Sequence, residues 1–200
     1  METETNRIEA FSDGMFAIAI TLLILEIKVP EVGQGSLREA LLRQWPSYLA
    51  FFLSFAYIGV MWMNHHRMFR HIRRSNDTLL LLNLLLLLGV TSVPFPTAVL
   101  ARSLGTPEQR TAAIFYNGVF LVIAIFFNVL WRYAVSRQLL EKNSESSAAM
   151  ISRQYAVGPI MYVACLFLAW IDVRMSVGLN VALAIYFALP PSLMRGRNSP

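Results

Sequence analysis

The chain has 200 residues, 56% of them hydrophobic and only 14% charged, and its mean hydropathy is +0.52. That composition excludes a solvated globular surface: a soluble helical domain shows amphipathic stripes, whereas several segments here approach the ~20 apolar residues that cross a bilayer. Lys and Arg number 17 against 12 Asp and Glu, a net charge of +5, and the single Cys165 lies inside an apolar segment, so no intrachain disulfide staples the fold.

An all-α polytopic membrane protein is expected, with helical spans over about residues 8–29, 47–66, 78–100, 112–132, 154–171 and 174–190 in a single domain, 1–200. The residues ahead of the first span carry Glu2 and Glu4 and no cation, the reverse of a secretory n-region, so this span is expected to be retained. It opens with Arg7, Ser12 and Asp13 before an almost purely aliphatic run. A carboxylate so close to hydrocarbon is costly unless paired, which makes Asp13 the first candidate site residue. On a helix, Ile18, Thr21, Leu22 and Leu25 fall at i, i+3, i+4 and i+7 and share one face, with Asp13 on a neighbouring one. Such a face also suits plain packing against other helices. Glu26, near the far end, has three readings: a ring at a pore mouth that concentrates cations, a pair with Lys28, or a carboxylate in water.

The second span follows Trp45 and Pro46 and ends in WMNHHRMFRHIRR, where apolar character gives way to His65, His66 and four arginines. The third, beginning at Thr78, is aliphatic apart from Asn83 and meets Pro94 and Pro96, which remove backbone donors and disfavour α geometry before them; the helix is expected to end or kink there. A polar link, Arg102 to Arg110, precedes the fourth span, and a second, Arg132 to Arg153, precedes the fifth. A short turn at Asp172 leads to the sixth, which stops at Pro190 and Pro191. Asn83, Asn117, Asn128 and Asn180 fall within spans, where amides bridge helices for about 0.6 to 2 kcal/mol each.

Orientation follows from the cations. Arg7, Arg67, Arg70, Arg73, Arg74, Arg132, Arg137, Lys142, Arg153, Arg195 and Arg197 lie on the side of the N-terminus, eleven of the 17, against six on the other side. The positive-inside rule then places both termini in the cytoplasm. The pI near 9.7 therefore requires no nucleic acid. The RMFRHIRR cluster has the composition to bind RNA or anionic lipid, but beside a span end it reads first as a topology anchor. His65, His66 and His71 lack the i, i+4 spacing of a helical metal site, and Ser12, Asp13 and the histidines match no motif for a nucleophile with its base, so neither a metal centre nor an enzyme is expected.

The string RIEAFSDGMFAIAITLLILEI resembles the first helix of the transmembrane protein 175 family, the unconventional potassium channels of bacteria and of animal endosomes and lysosomes. The mark of that helix is Arg, three residues, then Phe-Ser-Asp, here Arg7, Phe11, Ser12 and Asp13. The likeness extends to the Trp-x-x-His-His end of the second span, here Trp62, His65 and His66, and to the six-helix layout of bacterial members. One Phe-Ser-Asp copy, where animal members carry two repeats, implies a homotetramer around one pore in a bacterial plasma membrane.

The resemblance further implies that Ile18, Leu22 and Leu25, with the Thr21 hydroxyl between them, line and constrict that pore. It implies that Arg7, Ser12 and Asp13 join Trp62 and one of His65 or His66 in a hydrogen-bonded scaffold. No cofactor is implied beyond the permeant potassium ion. A TVGYG-like filter is not encoded, the nearest string being SVGLN at Ser176 to Asn180. Passive potassium conduction through a hydrophobic constriction that gates by dewetting is the expected function. The competing reading of an intramembrane Asp and His is a proton-coupled or cation secondary transporter. Such a transporter would usually show internal repeats and paired broken helices, and the sequence shows no such repeat.

Overall fold

The computed structural model describes residues 5–30, 36–141 and 145–188, the side chains at 145–150, 153, 154 and 186–188 excepted. Glu2, Glu4, Lys142, Arg195, Arg197, the side chain of Arg153 and the expected end of the sixth span at Pro190 lie outside the described residues. Among the latter the architecture is all-α: α1 Asn6–Leu22, closed by a 3₁₀ turn Leu23–Glu26, then α2 Leu37–Arg43, α3 Trp45–Phe69, α4 Asp77–Ser92, α5 Pro94–Ser103, α6 Gln109–Ser136, α7 Glu145–Ile171 and α8 Val173–Ala188.

Among the described residues, four segments are long and apolar enough to cross a membrane, namely Asn6–Glu26, Trp45–Phe69, Asp77–Ser103 and Gln109–Ser136. Two shorter apolar helices, Tyr155–Ile171 and Val173–Ile185, follow. The break in the third segment is the one the prolines dictate: α4 stops at Ser92, and Pro94 opens α5 as its first residue, where its missing N–H has no intrahelical role. Elsewhere helix ends and apolar ends part company. α3 continues through His65 and His66 to Phe69, and α7 begins at Glu145, because polar side chains do not stop a helix whose backbone bonds are intact.

The centre of the bundle is α6, which packs on α4, α5, α7 and α8. Its buried column runs Ala113, Tyr116, Phe120, Ile123, Phe127, Leu130 and Ala134, the three-and-four spacing of a core face. α4 approaches α6 closely at Gly89, where a Cβ would stand 2.8 Å from Ile123 Cγ1. The expected amide bridges are present. Asn117 Nδ2 donates to Ser176 Oγ at 3.1 Å and Asn180 Nδ2 to Asn117 Oδ1 at 3.0 Å, tying α6 to α8, while Asn128 Nδ2 donates to the Tyr155 carbonyl of α7 at 2.6 Å.

The links on the side where α1 begins are stapled together. Arg73 N–H donates to the Leu139 carbonyl at 2.9 Å and Glu141 N–H to the His71 carbonyl at 3.0 Å, a one-pair antiparallel bridge between Ile72 and Leu140. α6 enters that staple through a Schellman turn: Gln138 takes a positive φ of 54° and donates to Val135 O, and Leu139 donates to Ala134 O.

Candidate functional site: the first helix and its anchor

α1 has two faces with different chemistry. Ile8, Ser12, Phe16 and Ala19 are buried in a helix that packs on α3 and α4, and Leu23 is buried in the 3₁₀ turn, which packs on α3 and α5. The opposite stripe, Phe11, Gly14, Ile18, Thr21 and Leu25 at alternating steps of three and four, is exposed, and Leu22 joins it. Ile18 is 55% exposed, Leu22 40% and Leu25 58%, in a helix that is the least enclosed of the four long spans. The stripe therefore contributes nothing to the protomer's core. The Thr21 hydroxyl donates to the Ala17 and Ile18 carbonyls, each at 2.9 Å, so its one hydrogen is committed to the helix and its oxygen remains an acceptor.

The buried face is held by a directional chain of hydrogen bonds. Ser12 Oγ donates to the Ile8 carbonyl at 2.7 Å, which spends its only hydrogen. It therefore accepts from Asn83 Nδ2 at 3.0 Å, and that fixes the Asn83 amide with Oδ1 facing His65 Nε2 at 2.9 Å. His65 Nε2 must then carry a proton and donate. Ser12, Asn83 and His65 are all buried, so α1, α4 and α3 are pinned at one point inside the bundle. The imidazole stacks on Phe69, centroids 4.5 Å apart, and tilts against Phe16 at 5.4 Å.

Asp13 belongs to a separate contact at the exposed edge, where Trp62 Nε1 donates to Asp13 Oδ1 at 2.9 Å. Trp62 in turn stacks with His66 at 6.3 Å. Arg7 and Phe11 are exposed, and no ion pair joins Arg7 to Asp13 among the described residues. Six residues of helix separate the two, which leaves them about 120° apart around its axis. The motif residues thus form two anchors rather than one network: Asp13 with Trp62, and Ser12 with His65 through Asn83. Asn83 is the residue that sequence reasoning named as helix glue without naming its partners. Its signal was a lone amide in a leucine run, a group that hydrocarbon leaves unsolvated.

The model of the family described as endosomal/lysosomal potassium channel TMEM175 matches residues 7–94, which contain α1, α3 and α4 with both anchors. A potassium channel of Chamaesiphon minutus is 52% identical over 193 residues, covering 94% of this chain and 95% of that protein. A potassium channel of Streptomyces collinus is 42% identical over 188 residues, covering 92% of this chain and 91% of that one. The crystal structure of a lysosomal potassium-selective channel TMEM175 homolog from Chamaesiphon minutus superposes with a TM-score of 0.86 at 52% identity, over 92% of this chain and 96% of that one. With half of its residues shared along nearly its whole length, the chain belongs to the TMEM175 family.

Proposed function

We propose that the chain is a passive potassium channel in which four copies surround a pore lined by the exposed stripe of α1. The observation that carries this reading is the division of α1: one face pinned through Ser12, Asn83 and His65, the other apolar, unpartnered within the protomer and interrupted by the Thr21 oxygen. Rings of Ile18, Leu22 and Leu25 at an axis form a constriction that dewets and so opposes ion entry, and a ring of Thr21 acceptors offers partial replacement of lost hydration. In this reading the subunit has six spans, with α4 and α5 counting as one broken span and Tyr155–Ile171 and Val173–Ile185 as the last two. The termini are cytoplasmic in a bacterial plasma membrane, on the side rich in arginine. Exposed Trp45 and Trp170 fall at the opposite boundary, where indoles anchor.

The buried His65 chain fits a scaffold better than a proton relay. It ends on a backbone carbonyl, runs through an amide that does not pass protons as a hydroxyl or imidazole does, and does not include Asp13. The test is potassium flux from liposomes containing the purified chain, with oligomer mass measured in parallel. The reading expects a tetramer that passes potassium down its gradient with no opposing gradient of another ion. A monomer, or flux that stops when a proton or sodium gradient is collapsed, overturns it.

A further inference from the structure

The stapled links leave a recess at the boundary where α1 begins and α3 ends, about 1230 Å³ counted to its open mouth. Its lining includes Arg67 and Arg70 from the end of α3, Arg73 and His71 from the α3–α4 link, Glu141 from the α6–α7 link and Glu9 from α1. Arg67 and Arg70 are exposed and have no carboxylate partner among the described residues. Arg73 is held by Glu141, its Nη2 lying 3.5 Å from both carboxylate oxygens. The bridge between Ile72 and Leu140 and the bond from Thr5 Oγ1 to the Ile72 carbonyl at 3.3 Å fix the walls in place before any ligand arrives.

We propose that this recess binds the phosphate of an anionic phospholipid headgroup. Guanidinium groups recognise phosphate oxygens in paired geometry, and basic pockets between membrane helices hold lipid headgroups. Three arginines against two glutamates leave the lining close to one positive charge, which matches the single charge of a phosphodiester better than the double charge of free phosphate. The position decides in the same direction: the recess lies where the apolar run of α3 gives way to its arginines, so a headgroup seated there keeps its acyl chains along the bundle, an anchor that inorganic phosphate lacks. The inference rests on the membrane reading of the chain and not on conduction.

The test uses the full-length protein, stripped of lipid in detergent and titrated with phosphatidylglycerol or phosphatidylcholine while bound lipid is counted by native mass spectrometry. Wild type is expected to retain phosphatidylglycerol over phosphatidylcholine. Each arginine near a membrane surface contributes about fivefold to anionic-lipid affinity, so Arg67→Gln with Arg70→Gln should weaken binding about twenty-fivefold. Glu141→Gln removes a lining charge and frees Arg73, so it should tighten binding, a gain that misfolding does not mimic. Arg43→Gln, remote from the recess at the end of α2, should leave binding unchanged. Equal binding of the two lipids, an unaltered arginine variant, no gain on Glu141→Gln, or an equal loss on Arg43→Gln overturns the proposal. Displacement of phosphatidylglycerol by millimolar inorganic phosphate overturns the lipid as the source. Potassium flux is not read, so failure here is separable from failure of the channel reading.

Discussion

Replacing Asn83 by leucine, close to it in size, removes the amide that joins α1 to α3. The Ser12 bond at 3.0 Å is lost, at about 0.6 kcal/mol for an interhelical bond in a membrane protein. Ser12 itself stays satisfied, because its hydrogen goes to Ile8. His65 does not: its Nε2–H loses its acceptor at a site with no solvent exposure, which costs about 1–3 kcal/mol. The sum, about 1.6–3.6 kcal/mol, corresponds to a drop of about 3–14 °C in the unfolding midpoint of a chain this size. A second change separates the stranded donor from simple repacking. His65→Phe in the Asn83→Leu background removes the orphan and sets an apolar ring between Phe16 and Phe69, so most of the loss should return. The assay is the midpoint of thermal unfolding in detergent, followed by size-exclusion chromatography. An Asn83→Leu protein as stable as wild type, or a double variant no better than the single one, refutes the anchor.

Three smaller perturbations probe other parts of the account by the same midpoint. Gly89→Ala puts a methyl 2.8 Å from Ile123 Cγ1 and should cost about 1–3 kcal/mol, part of which a simultaneous Ile123→Ala recovers; an unchanged midpoint would mean that α4 and α6 move apart freely. Gln138→Gly relieves a side chain held at φ 54° and should gain about 0.5–1 kcal/mol, with a loss counting against the Schellman turn. Asp13→Asn keeps an oxygen acceptor for Trp62 whereas Asp13→Ala does not, so the alanine variant should be the less stable by about 1 kcal/mol; equal midpoints would remove the Asp13–Trp62 bond from the account.

The long apolar elements were legible in the sequence because a bilayer demands length and hydropathy, both of which survive without tertiary information. The proline break after Ser92 was legible for the same local reason. Less visible was α2, although Ser36 and Glu39 have the spacing of a capping box and Ser36 does accept from the Glu39 N–H at 3.2 Å. In the site, the periodicity of Ile18, Thr21, Leu22 and Leu25 defined a face but could not say what meets it, since lipid, a neighbouring helix and a pore all accept aliphatic side chains. The anchors needed three dimensions. Arg7 and Asp13 share a motif yet point to different sides of one helix, while Ser12 and His65 meet only through Asn83, 71 residues beyond Ser12.

Reversal potentials of Ile18→Asn in mixed potassium and sodium bear most directly on the central claim, that the exposed stripe of α1 lines the conduction path. Ile18 is 55% exposed on the protomer, so an amide there disturbs no internal packing. In the pore reading, four amides hold water where four aliphatic groups exclude it, the dewetting barrier falls, and potassium flux rises while discrimination against sodium declines. Leu22→Asn should act in the same direction more weakly if the constriction has several layers. A correctly assembled Ile18→Asn protein with wild-type conductance and an unshifted reversal potential would contradict the account, placing this face against lipid or a neighbouring helix instead.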